Sequence, residues 1–216
     1  LFDKFSNIKG FTMYEVLFVF GVVQFGFSFC ETFFRGIDQF DDLIISGNFD
    51  RLLLRPRAVL FQIFCNDVSF TKLSRFIQSI IILIISIIKV DIIWNIEKII
   101  TLVFMLIASI FVFLSIFILT ASYCFFTVKG LEVRNVLTYG CREMAQYPIG
   151  IFSKGFIIFF TVIVPIGFVN YYPLLFILGN KTNKIFIISP LITILYLIPS
   201  IIIFYKGMKR YSSVGS

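Results

Sequence analysis

Apolar positions fall into five long runs separated by short polar stretches. The first run covers 11–34 and has an uncharged centre from Val16 to Cys30. The second covers 70–90, but its uncharged stretch, Phe76–Ile88, is only 13 residues. The third, Ile99–Val128, runs 30 residues without a charge. The fourth, Gly155–Asn180, is interrupted by Pro165 and Pro173, and the fifth, Ile185–Tyr205, contains Pro190 and Pro199. A helix that crosses a bilayer needs about 20 apolar residues at ~1.5 Å of rise each. The third and fifth runs meet that length outright. The second meets it only if Lys72, Arg75 and Lys89 extend their charged ends to the interfaces. Pro165 breaks the helical ladder of the fourth run. The expectation there is a span at 151–169, then Asn170-Tyr171-Tyr172-Pro173 at headgroup level, then Leu174–Leu178 dipping back or lying on the surface. The pattern predicts an all-α, polytopic membrane helix bundle in a single domain over 1–216, with five spans at about 11–34, 70–90, 99–128, 151–169 and 185–205.

Composition narrows the chemistry. The 216 residues are 59% hydrophobic and 14% charged, with 30 Phe and no His. A single soluble core of this size could not hide that much apolar surface, and disorder requires low hydrophobicity. Without His there is no Ser-His or Cys-His nucleophile pair and no imidazole metal ligand. Cys30, Cys65, Cys124 and Cys141 are far apart and form no CxxC, so zinc, redox and haem sites have no support. No phosphate-binding loop or dinucleotide fingerprint occurs, so no cofactor is expected and any ATP must be hydrolysed elsewhere. The sequon Asn180-Lys181-Thr182 is too short a match to carry weight.

The net charge of +7 is explained by topology and requires no nucleic acid. Thirteen Lys and Arg fall in 35–75, 129–154 and 206–216, against six in the alternating segments. The excess places the first set, and the C-terminus, in the cytoplasm. The N-terminus is then outside although nothing before residue 11 resembles a leader. A preceding span, missing from this sequence, is the expectation; it would make six.

Two polar connectors carry pattern. In Gly36–Ser46, Ile37, Phe40 and Ile44 share one helical face, with Asp38, Asp41 and Asp42 around the rest. This predicts a short amphipathic helix at the membrane surface or against a partner. The turn Ser46–Asp50 follows, then Arg51-Leu52-Leu53-Leu54-Arg55-Pro56-Arg57, where Pro56 ends the helix near Arg55. Such a segment is either a solvated loop whose arginines fix topology or a docking surface for a cytoplasmic partner. Residues 129–150 show a rough stripe of Leu131, Val133, Val136, Leu137 and Met144, consistent with an interfacial elbow helix or a plain connector. Glu15 and Glu31 bracket the first span, where water and a structural role are expected. Gln24, Gln78, Ser86, Ser109, Ser115, Thr120 and Thr161 are expected to join helices. A secondary transporter or channel would place charges in mid-span or repeat a pair of broken helices. Neither pattern is present, which leaves that class, and a non-transporting membrane scaffold, as alternatives.

Three motifs in order bring a family into view. They are Ser46-Gly47-Asn48-Phe49-Asp50-Arg51-Leu52-Leu53-Leu54-Arg55-Pro56; Tyr147-Pro148 followed by Val164-Pro165-Ile166-Gly167-Phe168 and Tyr172-Pro173; and the tail Lys206–Ser216. With these the chain resembles the permease subunit of ABC-2-type ABC transporters, in the bacterial branch that includes daunorubicin-resistance-like exporters. Phe49 stands where Leu is usual and Val214-Gly215 where Ala-Ser is usual. The resemblance implies a non-enzymatic membrane subunit in the cell membrane, paired with a second permease, contacted by lipids and driven by two cytoplasmic ABC ATPase subunits. It implies a coupling helix over about Gly36–Arg57, within a coupling segment 35–69, with Gly47, Phe49, Asp50, Leu53, Arg55 and Pro56 at the ATPase interface. It also implies a re-entrant or gating backbone around Pro165, Tyr172 and Pro173.

Overall fold

The computed structural model describes residues 10–126, 135–179 and 183–211. Leu131, Val133, the sequon at 180–182 and the tail motif's final residues 212–216 lie outside them. Helix α1, Met13–Phe33, starts at a capping box: the Thr12 N–H donates to Glu15 Oε2 at 2.7 Å, and the Glu15 N–H donates to Thr12 Oγ1. Glu15 therefore has a plain structural role, closing free N–H groups at a helix start.

Four short helices follow: α2 (Arg35–Asp38), α3 (Phe40–Ile45), α4 (Asn48–Leu53) and α5 (Val59–Phe64). A single 3₁₀ turn, Phe70–Lys72, leads into α6, Leu73–Lys89. Helix α7, Ile96–Cys124, is 29 residues long, and the Asn95 side chain caps it by accepting from the Lys98 N–H at 2.9 Å. A π-helical stretch, Val136–Gly140, continues into α8, Cys141–Ala145. The last helices are α9 (Lys154–Ile158), α10 (Gly167–Asn170), α11 (Tyr172–Ile177), α12 (Ile185–Ile188) and α13 (Leu197–Met208). Among the described residues there is no strand.

Among the described residues, four helical stretches are long and apolar enough to cross a membrane: Met13–Phe33, Phe70–Lys89, Ile96–Cys124 and Ile185–Met208. A fifth candidate is the pair Lys154–Ile163 and Gly167–Ile177, which meet at 96°. Proline chemistry explains the bend. Pro165 has no N–H to give to the preceding turn. The helix loosens before it into π-helical Phe159–Ile163, where the Val164 N–H reaches back five residues to the Phe159 carbonyl. Ten helical residues cover only ~15 Å, so the first limb alone is too short to cross.

Packing runs opposite to that of a water-soluble bundle. On α6 the buried positions are Ser79, Leu83 and Ser86, while Ile77, Ile81, Ile84, Ile85 and Ile88 are exposed. Small residues let backbones approach, and the buried hydroxyls are satisfied locally: Ser79 donates to the Phe76 carbonyl at 2.6 Å and Ser86 to the Leu83 carbonyl at 2.8 Å. Outward isoleucines and inward serines are the arrangement expected when the surrounding solvent is lipid, where burial of apolar groups against protein gains little. On α7 Ser109, Ser115 and Ser122 are likewise buried, alongside Phe113, Phe117 and Ile118, while Ile96, Ile99 and Val103 near its start are exposed. Helix α1 is the most enclosed, sandwiched between α6 and α7. Its crossing with α7 depends on Gly26, because a Cβ there would fall on Ser109. Replacing Gly26 by Val should destabilise the chain by about 1–3 kcal/mol through overpacking. Thermal unfolding in detergent should show that loss, and Ser109→Gly should recover part of it.

Candidate functional site

The last turn of α1, the start of α6 and the ends of α7 and α13 meet at one end of the bundle, together with the connector 35–69. We call it the basic end. The connector folds back on the bundle by an aromatic cluster. Phe40 and Phe49 lie 5.0 Å apart edge-to-face. Both meet Phe125, just past α7, at 5.1 and 5.6 Å. Phe204 of α13 joins Phe40 at 5.6 Å, and Tyr211 joins Phe49 at 5.1 Å. Such ring pairs contribute about 0.5–1.5 kcal/mol each beyond their burial.

Two expectations change here. The face of Ile37, Phe40 and Ile44 does form, but all three are buried within the chain, so it lies neither on the membrane surface nor on a partner. Phe49, expected at the ATPase interface, is fully buried. A bulky ring beside Phe40 and Phe125 is better placed in that cluster than in water. Gly47 is the hinge between α3 and α4, with φ +70°, a left-handed conformation that glycine adopts without strain. Asp50 is half-buried on α4.

The outward residues are Leu53, Leu54, Arg55, Pro56 and Arg57, with Leu54 86% exposed. They border an open groove of about 570 Å³ lined by Leu52, Arg55, Pro56, Arg57, Phe61, Gln62, Cys65 and Asn66. Of the predicted interface set, Arg55 and Pro56 line this groove, Leu53 lies beside it on the surface, and Phe49 turns inward. Gln62 fixes the turn: its buried amide donates to the Leu52 carbonyl at 3.2 Å and to the Arg57 carbonyl at 2.9 Å. A smaller depression of about 300 Å³ on the same connector is bordered by Asp42 and Asp67.

Beneath the connector lies a charge cluster. Glu31 has no exposure, which corrects the expectation that water surrounds it. Its Oε1 accepts from Lys72 Nζ at 2.9 Å and its Oε2 from Arg75 at 3.2 Å. The Tyr139 hydroxyl donates to the same Oε1 at 3.1 Å. The Arg142 guanidinium lies 4.9 Å from the Phe27 ring centre and 5.3 Å from that of Tyr139, and also pairs with Glu143. Burial, the nearby Glu31 and Asp38 charges and the hydrogen bond to Glu31 push the Tyr139 phenol up to about 12, against the pull of Arg75. Its proton is therefore in place to donate. Glu31 sits at the C-terminal end of its helix, and Lys72 and Arg75 sit at the N-terminal end of theirs. Each charge opposes its own helix dipole, so the compensation comes from pairing across the two helices. Removing both cations would strand the carboxylate, a loss of about 3–5 kcal/mol.

In the second connector the buried face is Thr138, Cys141 and Ala145, while Val136 and Leu137 point outward and Met144 is half-buried. Burial raises the Cys141 thiol to about 11, which leaves it an unreactive thiol. Farther along, Asn170 is buried, and its amide donates to the Ala145 carbonyl at 2.7 Å and the Tyr147 carbonyl at 3.4 Å. Of the gate set, Pro165 and Pro173 are buried on either side of the short α10. Tyr172 is half-buried between the Phe168 and Phe186 rings, at 5.4 and 5.8 Å. At the opposite end of the bundle Lys184 pairs with Glu97 at 2.7 Å, and that hydrogen bond and charge raise the lysine's affinity for its proton.

Sequence reasoning passed over Glu31 as a hub, and over Gln62, Tyr139 and Asn170. The signal for Glu31 was present: an acid ending one apolar run, with Lys72 and Arg75 opening the next and unduly short one. No group of three or more Cys, Asp or Glu residues able to hold a metal occurs among the described residues. Phe49→Ala should cost about 3–5 kcal/mol and Leu54→Ala less than about 0.5 kcal/mol, measured by thermal unfolding in the same detergent.

No curated protein and no solved structure shows a significant match to the chain. The model of one family, described as ABC-2 family transporter protein, matches residues 1–215. That match, over nearly the whole length of an apolar, multi-helical chain, places this protein in the ABC-2 transporter family as a membrane permease component.

Proposed function

We propose that this chain is the membrane-spanning subunit of an ATP-driven exporter, that its basic end faces the cytoplasm, and that the connector 35–69 receives a separate ABC ATPase. Permeases of this family work with ABC ATPase partners, and the chain itself carries no phosphate-binding loop. The observation that carries the docking site is the turn Leu52–Arg57. It projects two arginines, Arg55 and Arg57, and the exposed Leu54 beside an open groove, on a connector otherwise pinned down by buried rings and by Gln62. A rigid turn with apolar and guanidinium groups side by side suits a protein interface, where arginine is enriched and preorganisation lowers the ordering cost. The distribution of Lys and Arg supports the cytoplasmic side for this end and for the C-terminus.

The exposed isoleucine faces of α6 and α13 are available to lipid and to a second permease, with which the chain would form the transport pathway. The bend at Pro165, with Tyr172 and Pro173 beyond it, is the part of the backbone suited to gating, since broken helices at membrane depth occur where they line a cavity or are covered by protein. A transporter driven by an ion gradient would use ionisable groups along its path. Glu31 is instead held by two cations at the end of a helix, which favours a fixed tie.

The test is charge reversal on the outward turn. Arg55→Glu combined with Arg57→Glu should weaken ATPase binding by at least about tenfold, the effect of losing one interface hot spot, and thermal unfolding of the permease should be unchanged. Co-purification of the ATPase from membranes at undiminished yield would remove the turn as the docking site.

A further inference from the structure

We propose that Glu31 is the positioning residue through which displacement of the connector 35–69 reaches the broken helix pair 154–177. The proposal rests on the docking reading above. Because the connector joins α1 to α6, a force applied to it leaves through its two feet. Those feet are tied. The Ser69 N–H donates to the Thr32 carbonyl at 3.0 Å, and Glu31 holds Lys72 and Arg75. Two ion pairs on a fully buried carboxylate make the feet move as one body, since separating them would leave that charge without compensation.

From there the contacts continue in one direction. The Tyr139 hydroxyl shares Oε1 of Glu31 with Lys72, which fastens the π-helical stretch Val136–Gly140 to the feet. Arg142, on the following turn, lays its guanidinium across Phe27 and Tyr139. Ala145 ends the same helix, and its carbonyl receives the Asn170 amide. Asn170 in turn ends α10, the first helix after the 96° bend. The links between neighbouring pieces are directional polar contacts on buried or half-buried atoms. A shift of one piece therefore either carries its neighbour along or costs a buried bond, which is the discrete behaviour that coupling requires.

Of the three links on Glu31, the Tyr139 bond is the weakest. Its donor is a neutral hydroxyl, whereas Lys72 and Arg75 bring a full opposite charge to the carboxylate as well as a hydrogen bond. A movement of the feet could keep Lys72 and Arg75 on Glu31 and release Tyr139, freeing 136–170 to rearrange. This gives Glu31 a part in coupling besides holding the fold, and makes the hydroxyl of Tyr139 the point at which that coupling is made or released.

The experiment uses the permease with its ABC ATPase in lipid nanodiscs. Cys65, the exposed native thiol, is replaced by Ser, and a reporter Cys is placed at the half-exposed Leu175 of α11. Its alkylation rate is compared without nucleotide and with ATP plus vanadate. The unaltered network should give a change of at least about fivefold, the lower range of typical coupling. Tyr139→Phe and Glu31→Gln should each reduce it to less than about twofold, with the double variant no worse than the single ones, as expected for residues in one pathway. ATPase binding and ATP hydrolysis should persist in all of them. A merely structural role for Glu31 would lower the unfolding temperature and leave the nucleotide-dependent change intact. That result, a full change in Tyr139→Phe, or no change at Leu175 in a complex that binds and hydrolyses ATP, would overturn the proposal. Failure of the unaltered chain to hold an ATPase would show at purification and would sink the docking reading with it.

Discussion

A carboxylate without contact with solvent stands at the end of the first long helix, and two cations from the start of the next hold it there. The pairing of Glu31 with Lys72 and Arg75 constrains much of the architecture. It closes the 35-residue connector 35–69 into a loop with a fixed base. It also fixes the register of α6, whose uncharged stretch is short, against α1. Without it, each of the three charges would lie uncompensated at the unfavourable end of its own helix dipole. The cost of burying an acid is met by geometry that brings together parts of the chain more than forty residues apart.

Upon that base the aromatic cluster sets which side of the connector is free. Phe40 and Phe49 turn towards Phe125, Phe204 and Tyr211, so α3 and α4 lie with their apolar faces inward. What stays outward is the turn from Leu53 to Arg57 and the groove behind it, held in shape by the two hydrogen bonds of Gln62. The membrane-embedded part obeys a different rule. There α6 turns serines inward and isoleucines outward, as expected where lipid does not drive apolar groups together as water does. Between α1 and α7 buried Phe27, Phe113 and Phe117 pack beside the close contact of Gly26 with Ser109.

Four long apolar helices were legible because a bilayer demands long uncharged runs, and the break at Pro165 because a missing N–H disrupts a helix wherever it occurs; the span expected at 151–169 is instead two short limbs, Lys154–Ile163 and Gly167–Ile177, because the break falls inside it. The face of Ile37, Phe40 and Ile44 was legible as a face, but periodicity does not say what covers it. Its partner is the end of α7 and α13, some eighty residues or more along the chain. Phe49 was misplaced for the same reason: a motif fixes a residue's neighbours in sequence and leaves its direction open. The pairing of Glu31 with Lys72 and Arg75 left a signal at the ends of two adjacent runs, but Tyr139 was out of reach because a contact 108 residues apart leaves no local pattern. Gln62 was missed because a glutamine that pins two carbonyls looks, in sequence, like any other polar residue on a connector.

The central claim is that the groove bounded by Leu52–Arg57 and α5 is the face that meets the ATPase. The chain carries its own reporter there, since Cys65 lines the groove and is exposed, whereas Cys30, Cys124 and Cys141 are buried. The most direct measurement is the rate at which Cys65 is alkylated by a membrane-impermeant maleimide in detergent, with and without the ATPase. Rapid labelling of Cys65 in the permease alone, and strong protection in the complex, is the predicted result. Equal labelling of Cys65 in both states would contradict it.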